Sequence, residues 1–223
     1  MRSFNPDLVI FDCDGVLVDS EIIGIKKTLE VLNNYGCTIS REEYLSSYCG
    51  LDWNGLMSRI KKDYCITVPE SAKYHFLESL HLSFKHELKR IDGTLEVISQ
   101  LCLPKCICSN SGIEQIHMML NLVGLEPFFT NTVFSAAELG SGRTKPAPDI
   151  FLAAAEYFQV SPSRTLVIED SVPGVTAAKA AGMFTVGFTG GAHTYPLHGE
   201  KLRVAGADVV ISSIYELPSF IKC

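Results

Sequence analysis

A chain of 223 residues with 47% hydrophobic content and a formal charge of -6 suits one sizeable core, or a core with a smaller companion. Its 19 Lys and Arg against 25 Asp and Glu, with no long basic run, argue against nucleic acid or an anionic membrane as the main partner. No apolar run approaches the roughly 18 residues of a membrane span and no leader precedes the first apolar run, so the expected location is the cytoplasm.

The first element is the apolar run Leu8 to Phe11, which reads as a strand covered on both faces. It runs directly into Asp12-Cys13-Asp14-Gly15, two carboxylates one residue apart followed by a glycine that permits a sharp exit. Alternation along the strand lets Asp12 and Asp14 project to one side near its carboxyl end, where open α/β sheets place their ligands. Cys13 then points to the opposite face, into the core. An isolated Asp-x-Asp could equally well solvate a loop.

From Ser20 the pattern turns helical, through Ile22 to Tyr35, Arg41 to Tyr48, Trp53 to Tyr64 and Pro69 to Lys89, and no strand interrupts it. Gly36 closes the first of these helices, and Ser40-Arg41-Glu42-Glu43 has the form of a capping box opening the second. A helical block inside a chain otherwise patterned in strands and helices is most simply a separate small domain. The boundaries expected are 19–87 for this cap and 1–18 with 88–223 for a discontinuous core.

Beyond Asp92-Gly93, short apolar runs alternate with helical ones: Lys105 to Ser109, Val133 to Ser135, Thr165 to Ile168, Phe184 to Phe188 and Val209 to Ile211. That order predicts a Rossmann-like α/β fold, a parallel sheet with helices on both faces. Two strand ends and one helix start in it carry polar groups. Ser109-Asn110-Ser111-Gly112 ends one strand and opens a helix, which offers either an anion site or routine capping. Lys145 stands just ahead of two prolines that frame the first turn of the next helix. Glu169 and Asp170 end another strand as adjacent acids.

The eight cysteines show no Cys-x-x-Cys pair and no histidines at zinc-finger spacing, so they read mostly as reduced core thiols, Cys223 being the last of them. His193, after Thr189-Gly190-Gly191, is either a surface histidine or a residue lining the entrance to the site.

Taken in order, Asp12-x-Asp14-Gly15-x-Leu17-x-Asp19-Ser20, Ser109, Lys145-Pro146-Ala147-Pro148-Asp149-Ile150-Phe151 and Glu169-Asp170-Ser171-Val172-x-Gly174 resemble the four motifs of the haloacid dehalogenase-like phosphohydrolases, in the branch with a helical cap after the first motif. The resemblance implies that Asp12 is the nucleophile, Asp14 the acid and base, and Lys145 the group that holds nucleophile and phosphoryl oxygens. It implies that Ser109 and the Asn110 backbone bind the phosphoryl group. It implies further that Asp12, Asp14, Glu169 and Asp170 form the metal site, Asp14 contributing its main-chain carbonyl. Tyr48 to Trp53 resembles the specificity loop of such caps, which makes Gly50, Asp52 and Trp53 candidates for substrate choice. Trp53 could cover a sugar face or simply pack between helices.

Charge arithmetic points the same way. Four carboxylates gathered in one cleft are costly unless matched by cations. One Mg²⁺ and Lys145 supply three positive charges, a proton kept on Asp14 neutralises the fourth, and all-oxygen ligands favour Mg²⁺ over zinc. The expected function is Mg²⁺-dependent hydrolysis of a small phosphorylated metabolite, a sugar phosphate first, through an aspartyl-phosphate. The alternatives are a sugar-phosphate mutase similar to β-phosphoglucomutase and a catalytically silent phosphometabolite-binding protein. Where mutase caps carry an assisting histidine, ten residues after Asp14, this chain has Gly24, which favours hydrolysis.

Overall fold

The computed structural model describes residues 4–221, and Cys223 therefore lies outside the described residues. The chain divides into two compact units, one made of the chain up to Asp19 together with the chain from Lys89 on, the other of Ser20–Leu88.

The first unit is built on a six-stranded, wholly parallel sheet. Strand β1 (Leu8–Phe11) is followed, after the helical unit, by α5 (Thr94–Gln100), β2 (Lys105–Ser109), α6 (Ile113–Val123), β3 (Val133–Ser135) and α7 (Asp149–Tyr157). Then come β4 (Thr165–Glu169), α8 (Val172–Ala180), β5 (Phe184–Phe188), α9 (His198–Val204) and β6 (Val209–Ile211). The order across the sheet is β3-β2-β1-β4-β5-β6, so the first strand lies in the middle. Each residue of β1 is fully buried, as its unbroken apolar run requires of a strand covered on both sides.

Leu8 and Ile10 face one way, into a cluster with Cys106, Cys108, Val167 and residues of α7 and α8 such as Phe151, Ala154, Ala177 and Ala178. Phe11 leaves the other face and meets Phe129 edge to face, with ring centroids 6.1 Å apart. Small residues dominate α8, which lets that helix lie close to the strands. In register, Phe11 stands opposite both Ile107 and Ile168. The residues that follow in all three strands therefore emerge along one edge, the carboxyl edge of the sheet.

The second unit holds α1 (Ser20–Asn34), α2 (Arg41–Ser47), α3 (Trp53–Tyr64) and α4 (Ser71–Glu87). Its apolar positions, among them Leu32, Tyr44, Ile60 and Phe84, are buried. Ser40 caps α2 by accepting from the Glu43 amide at 3.1 Å, and Asp52 caps α3 by accepting from Gly55 at 2.8 Å. Within the sheet-bearing unit, the points where the chain departs and returns are tied together. The Asp19 amide donates to the Lys89 carbonyl at 2.9 Å, and Val18 forms an antiparallel bridge with Arg90. Among the described residues no helix is long and apolar enough to cross a membrane.

Candidate active site

Asp12 follows β1 directly, and its amide is held by the Ile168 carbonyl of β4 at 3.0 Å. The chain then turns at Gly15, whose φ of +73° is one that side-chain-bearing residues rarely adopt. Space imposes the same choice, because a Cβ there would stand 1.8 Å from Asp170 Oδ2. The turn is closed by Gly15 donating to Val18 at 2.8 Å and Leu17 to Cys13 at 3.0 Å. Cys13 is buried, as the alternation predicts.

Lys145 reaches in from the loop ahead of α7 and is almost wholly enclosed. Its Nζ donates to Asp12 Oδ1 at 2.5 Å, to Glu169 Oε1 at 2.5 Å and to the Cys108 carbonyl at 2.7 Å, and lies 5.1 Å from the Phe151 ring centroid. Three acceptors for three ammonium hydrogens leave none unsatisfied. Asn110 fixes the lysine's backbone, accepting from the Lys145 amide at 3.0 Å and reaching its carbonyl at 3.5 Å. Asn110 thus works here through its side chain, whereas the sequence pointed to its backbone.

Glu169 spends one oxygen on Lys145, and its other accepts from the Ser171 hydroxyl at 2.9 Å and amide at 3.2 Å. Ser171 also caps α8 through the Gly174 amide at 3.0 Å. Gly174 is needed for space, since a Cβ on it would come within 1.9 Å of Glu169 Cδ. The Asp14 carboxylate lies beside hydroxyls: Oδ2 accepts from Ser111 at 2.8 Å and from Ser109 at 3.2 Å. Ser135 Oγ in turn donates to the Ser111 carbonyl at 2.7 Å.

Burial drives the titration of the central acids. It pushes the Asp12 carboxyl well above the usual carboxylate range, Lys145 pulling it down again while Glu169, Asp170 and Asp14 add to the rise. Glu169 is raised by the same burial, against the pull of Lys145. Desolvation alone would depress Lys145, but Asp12 and Glu169 outweigh it and the net shift is upward. Lys145 therefore stays charged, and one ammonium serves two carboxylates.

Asp12, Glu169 and Asp170 each offer an oxygen within 4.8 Å of the others, all three residues being buried. Three carboxylates against the single lysine leave two negative charges when all are ionised, and the donors are all hard oxygens. Such a set fits a hard divalent cation.

Among the cap candidates, Asp52 is engaged in capping α3, Trp53 packs on Phe76 with ring centroids 5.0 Å apart, and Gly50 has a φ of +86°.

His193 is not the surface histidine that was one of its two alternatives. It is buried, with Nε2 3.1 Å from Asp170 Oδ2. The double glycine before it admits the ring, because a Cβ on Gly191 would lie 2.7 Å from Nδ1. That pair of glycines was the one available signal. Ser111 and Ser171 were not singled out by sequence reasoning, and nothing short of their partners' positions separates them from ordinary caps.

A family model described as haloacid dehalogenase-like hydrolase matches residues 9–188. The chain is 26% identical over 197 residues to 6-phosphogluconate phosphatase of Escherichia coli K12, covering 88% of each chain. It is 28% identical over 233 residues to β-phosphoglucomutase of Bacillus subtilis 168, covering 94% of this chain and 90% of that one. A crystal structure of a haloacid dehalogenase-like protein of unknown function from Agrobacterium tumefaciens C58 superposes with a TM-score of 0.92 at 44% identity, over 96% of this chain and 97% of that one.

Proposed function

Because the chain belongs to the haloacid dehalogenase-like hydrolases, we propose that it is a Mg²⁺-dependent phosphatase of small phosphorylated metabolites, sugar phosphates foremost, working through an aspartyl-phosphate. The observation that carries this reading is the buried contact of Lys145 with Asp12 and Glu169 beside Asp170, at the carboxyl edge of a parallel sheet. A structural ion pair has no need of a third buried acid.

In this reading Asp12 attacks phosphorus through a carboxylate oxygen, and the ester oxygen leaves in line. Lys145 holds Asp12 in place and offers its charge to the phosphoryl oxygens. Ser109 and the amides beside it orient those oxygens from the end of β2. Asp14 gives a proton to the departing alkoxide and then takes one from the water that splits the aspartyl ester. A divalent cation held by Asp12, Asp170 and Glu169 would neutralise phosphoryl charge and favour the ionised form of Asp12 against the push of burial.

The likeness to β-phosphoglucomutase supports a second reading, transfer of the phosphoryl group back to a sugar. Gly24 weighs against it, since that position cannot furnish the imidazole such transfer uses.

The test is inorganic phosphate release from a panel of sugar phosphates and other metabolite esters, with Mg²⁺ and with chelator. Wild type is expected to release phosphate in a chelator-sensitive way, and Asp12→Asn, nearly isosteric, to keep its circular dichroism and lose turnover. Isomerised sugar phosphate without net release would decide for the mutase. Turnover persisting in Asp12→Asn would remove the nucleophile assignment.

A further inference from the structure

Asp170 is gripped at two points by imidazoles that the reaction as described does not use. His193 Nε2 lies 3.1 Å from its carboxylate Oδ2. His198 Nε2 lies 2.7 Å from its main-chain carbonyl, and since a carbonyl only accepts, that nitrogen carries the hydrogen. Both rings are buried and stand edge to face, with centroids 5.5 Å apart. Tyr195 stacks on His198 at 4.9 Å, and Lys201 lies over Tyr195 at 4.8 Å.

The receptacle for His193 is assembled from separate parts of the chain. A Cβ on Gly15 would stand 2.9 Å from His193 Cε1, and one on Gly191 would stand 2.7 Å from Nδ1. The loop that carries the ring is pinned by the Ala192 amide on Asp19 Oδ1 at 3.0 Å and by Thr194 Oγ1 on the Thr189 carbonyl at 2.9 Å. A histidine so deeply enclosed, with glycines on two loops leaving room for it, is not surface decoration.

We propose that His193 is a positioning residue for Asp170: its imidazole holds one carboxylate oxygen, with His198 fixing the backbone behind it, so that Asp170 presents a single orientation to a cation bound among the acids. This rests on the reading of Asp170 as a cation ligand. Carboxylates that ligate metals are commonly held by partners of this kind, whose loss costs about 10–100-fold in affinity or activity.

The experiment is titration of the full chain with Mn²⁺, free ion being followed by electron paramagnetic resonance, for wild type, Asp170→Asn, His193→Leu and His193→Gln. Asp170→Asn is expected to lose binding. His193→Leu is expected to weaken it about 10–100-fold with the fold retained, and His193→Gln, whose amide can still donate, to recover most of that loss. Wild-type binding by a folded His193→Leu would overturn the proposal while leaving Asp170 a ligand. Wild-type binding by Asp170→Asn would overturn the ligand reading and the proposal together. Pulsed resonance on the Mn²⁺ form should show no directly bound nitrogen; finding one would make His193 a ligand instead. If His193→Leu does not fold, ¹⁵N spectra of the wild-type ring decide. A protonated Nε2 that shifts when Mg²⁺ is added supports positioning, and an unprotonated or insensitive one overturns it.

Discussion

Removing the Lys145 ammonium leaves Asp12 and Glu169 facing each other in the interior with nothing between them. Both partners of the lysine are buried with it, so solvent screens little of the loss. Breaking a buried pair from one side costs about 3–5 kcal/mol. Lys145→Met is therefore expected to lower unfolding free energy by that order in urea titrations without metal, and to abolish turnover. Unchanged stability would mean that the acids are neutral in the resting protein. The ladder of residues around this lysine shows what a sequence can and cannot disclose. Asp12, Lys145, Glu169 and Asp170 are marked by where they stand, at strand ends and beside a proline-framed helix start. Asp14's bonds to Ser109 and Ser111 join residues 95 and 97 positions apart, and Asn110 reaches Lys145 across 35. No local pattern encodes pairings of that span.

At the level of single elements, caps and strand ends carry the testable consequences. Asp52 is the N-cap of α3, so Asp52→Ala should cost about 1 kcal/mol of stability through the orphaned Gly55 amide. A thermal melt of the variant checks this, and a much larger loss would point to a further role for that carboxylate. In α9, burial holds His198 below its ordinary value. The unfolded chain, titrating near about 6.5, then binds more protons than the folded one between the two values. Stability is expected to fall as pH is lowered through 6.5 and to level off below the folded value. The melting temperature of wild type should drop more steeply between pH 7.5 and 5 than that of His198→Gln; equal slopes would assign the acid sensitivity to other groups. The strands themselves were legible because each is a short apolar run, mostly β-branched or aromatic and in β2 built on cysteines around Ile107, bounded by polar residues. Glu169 is the last residue of β4, as its place at the end of that apolar run predicts, and its side chain is anchored inward by Lys145 and Ser171.

For the molecule as a whole, the parallel order follows from the alternation of strands and helices after Asp92, while the sheet order does not. Placing β1 between β2 and β4 depends on crossovers whose direction a sequence leaves unstated. That central position predicts the pattern of native-state hydrogen exchange. Amides of β1 and β4, buried and flanked on both sides, should exchange only with global unfolding, and those of the edge strands β3 and β6 sooner. Equal protection across the sheet would show that no part of it opens independently.

The bond between the Asp19 amide and the Lys89 carbonyl has a consequence for descent as well as for folding. A chain that leaves and rejoins a sheet at two hydrogen-bonded neighbours imposes almost no distance requirement on what lies between. The cost of closing such an excursion grows only with the logarithm of its length. Residues 20–88 are in that sense a cassette. Recombination can lengthen, shorten or replace it while the strands keep their register, and a chimaera joined at those two residues should inherit its sheet from one parent and its insert from another.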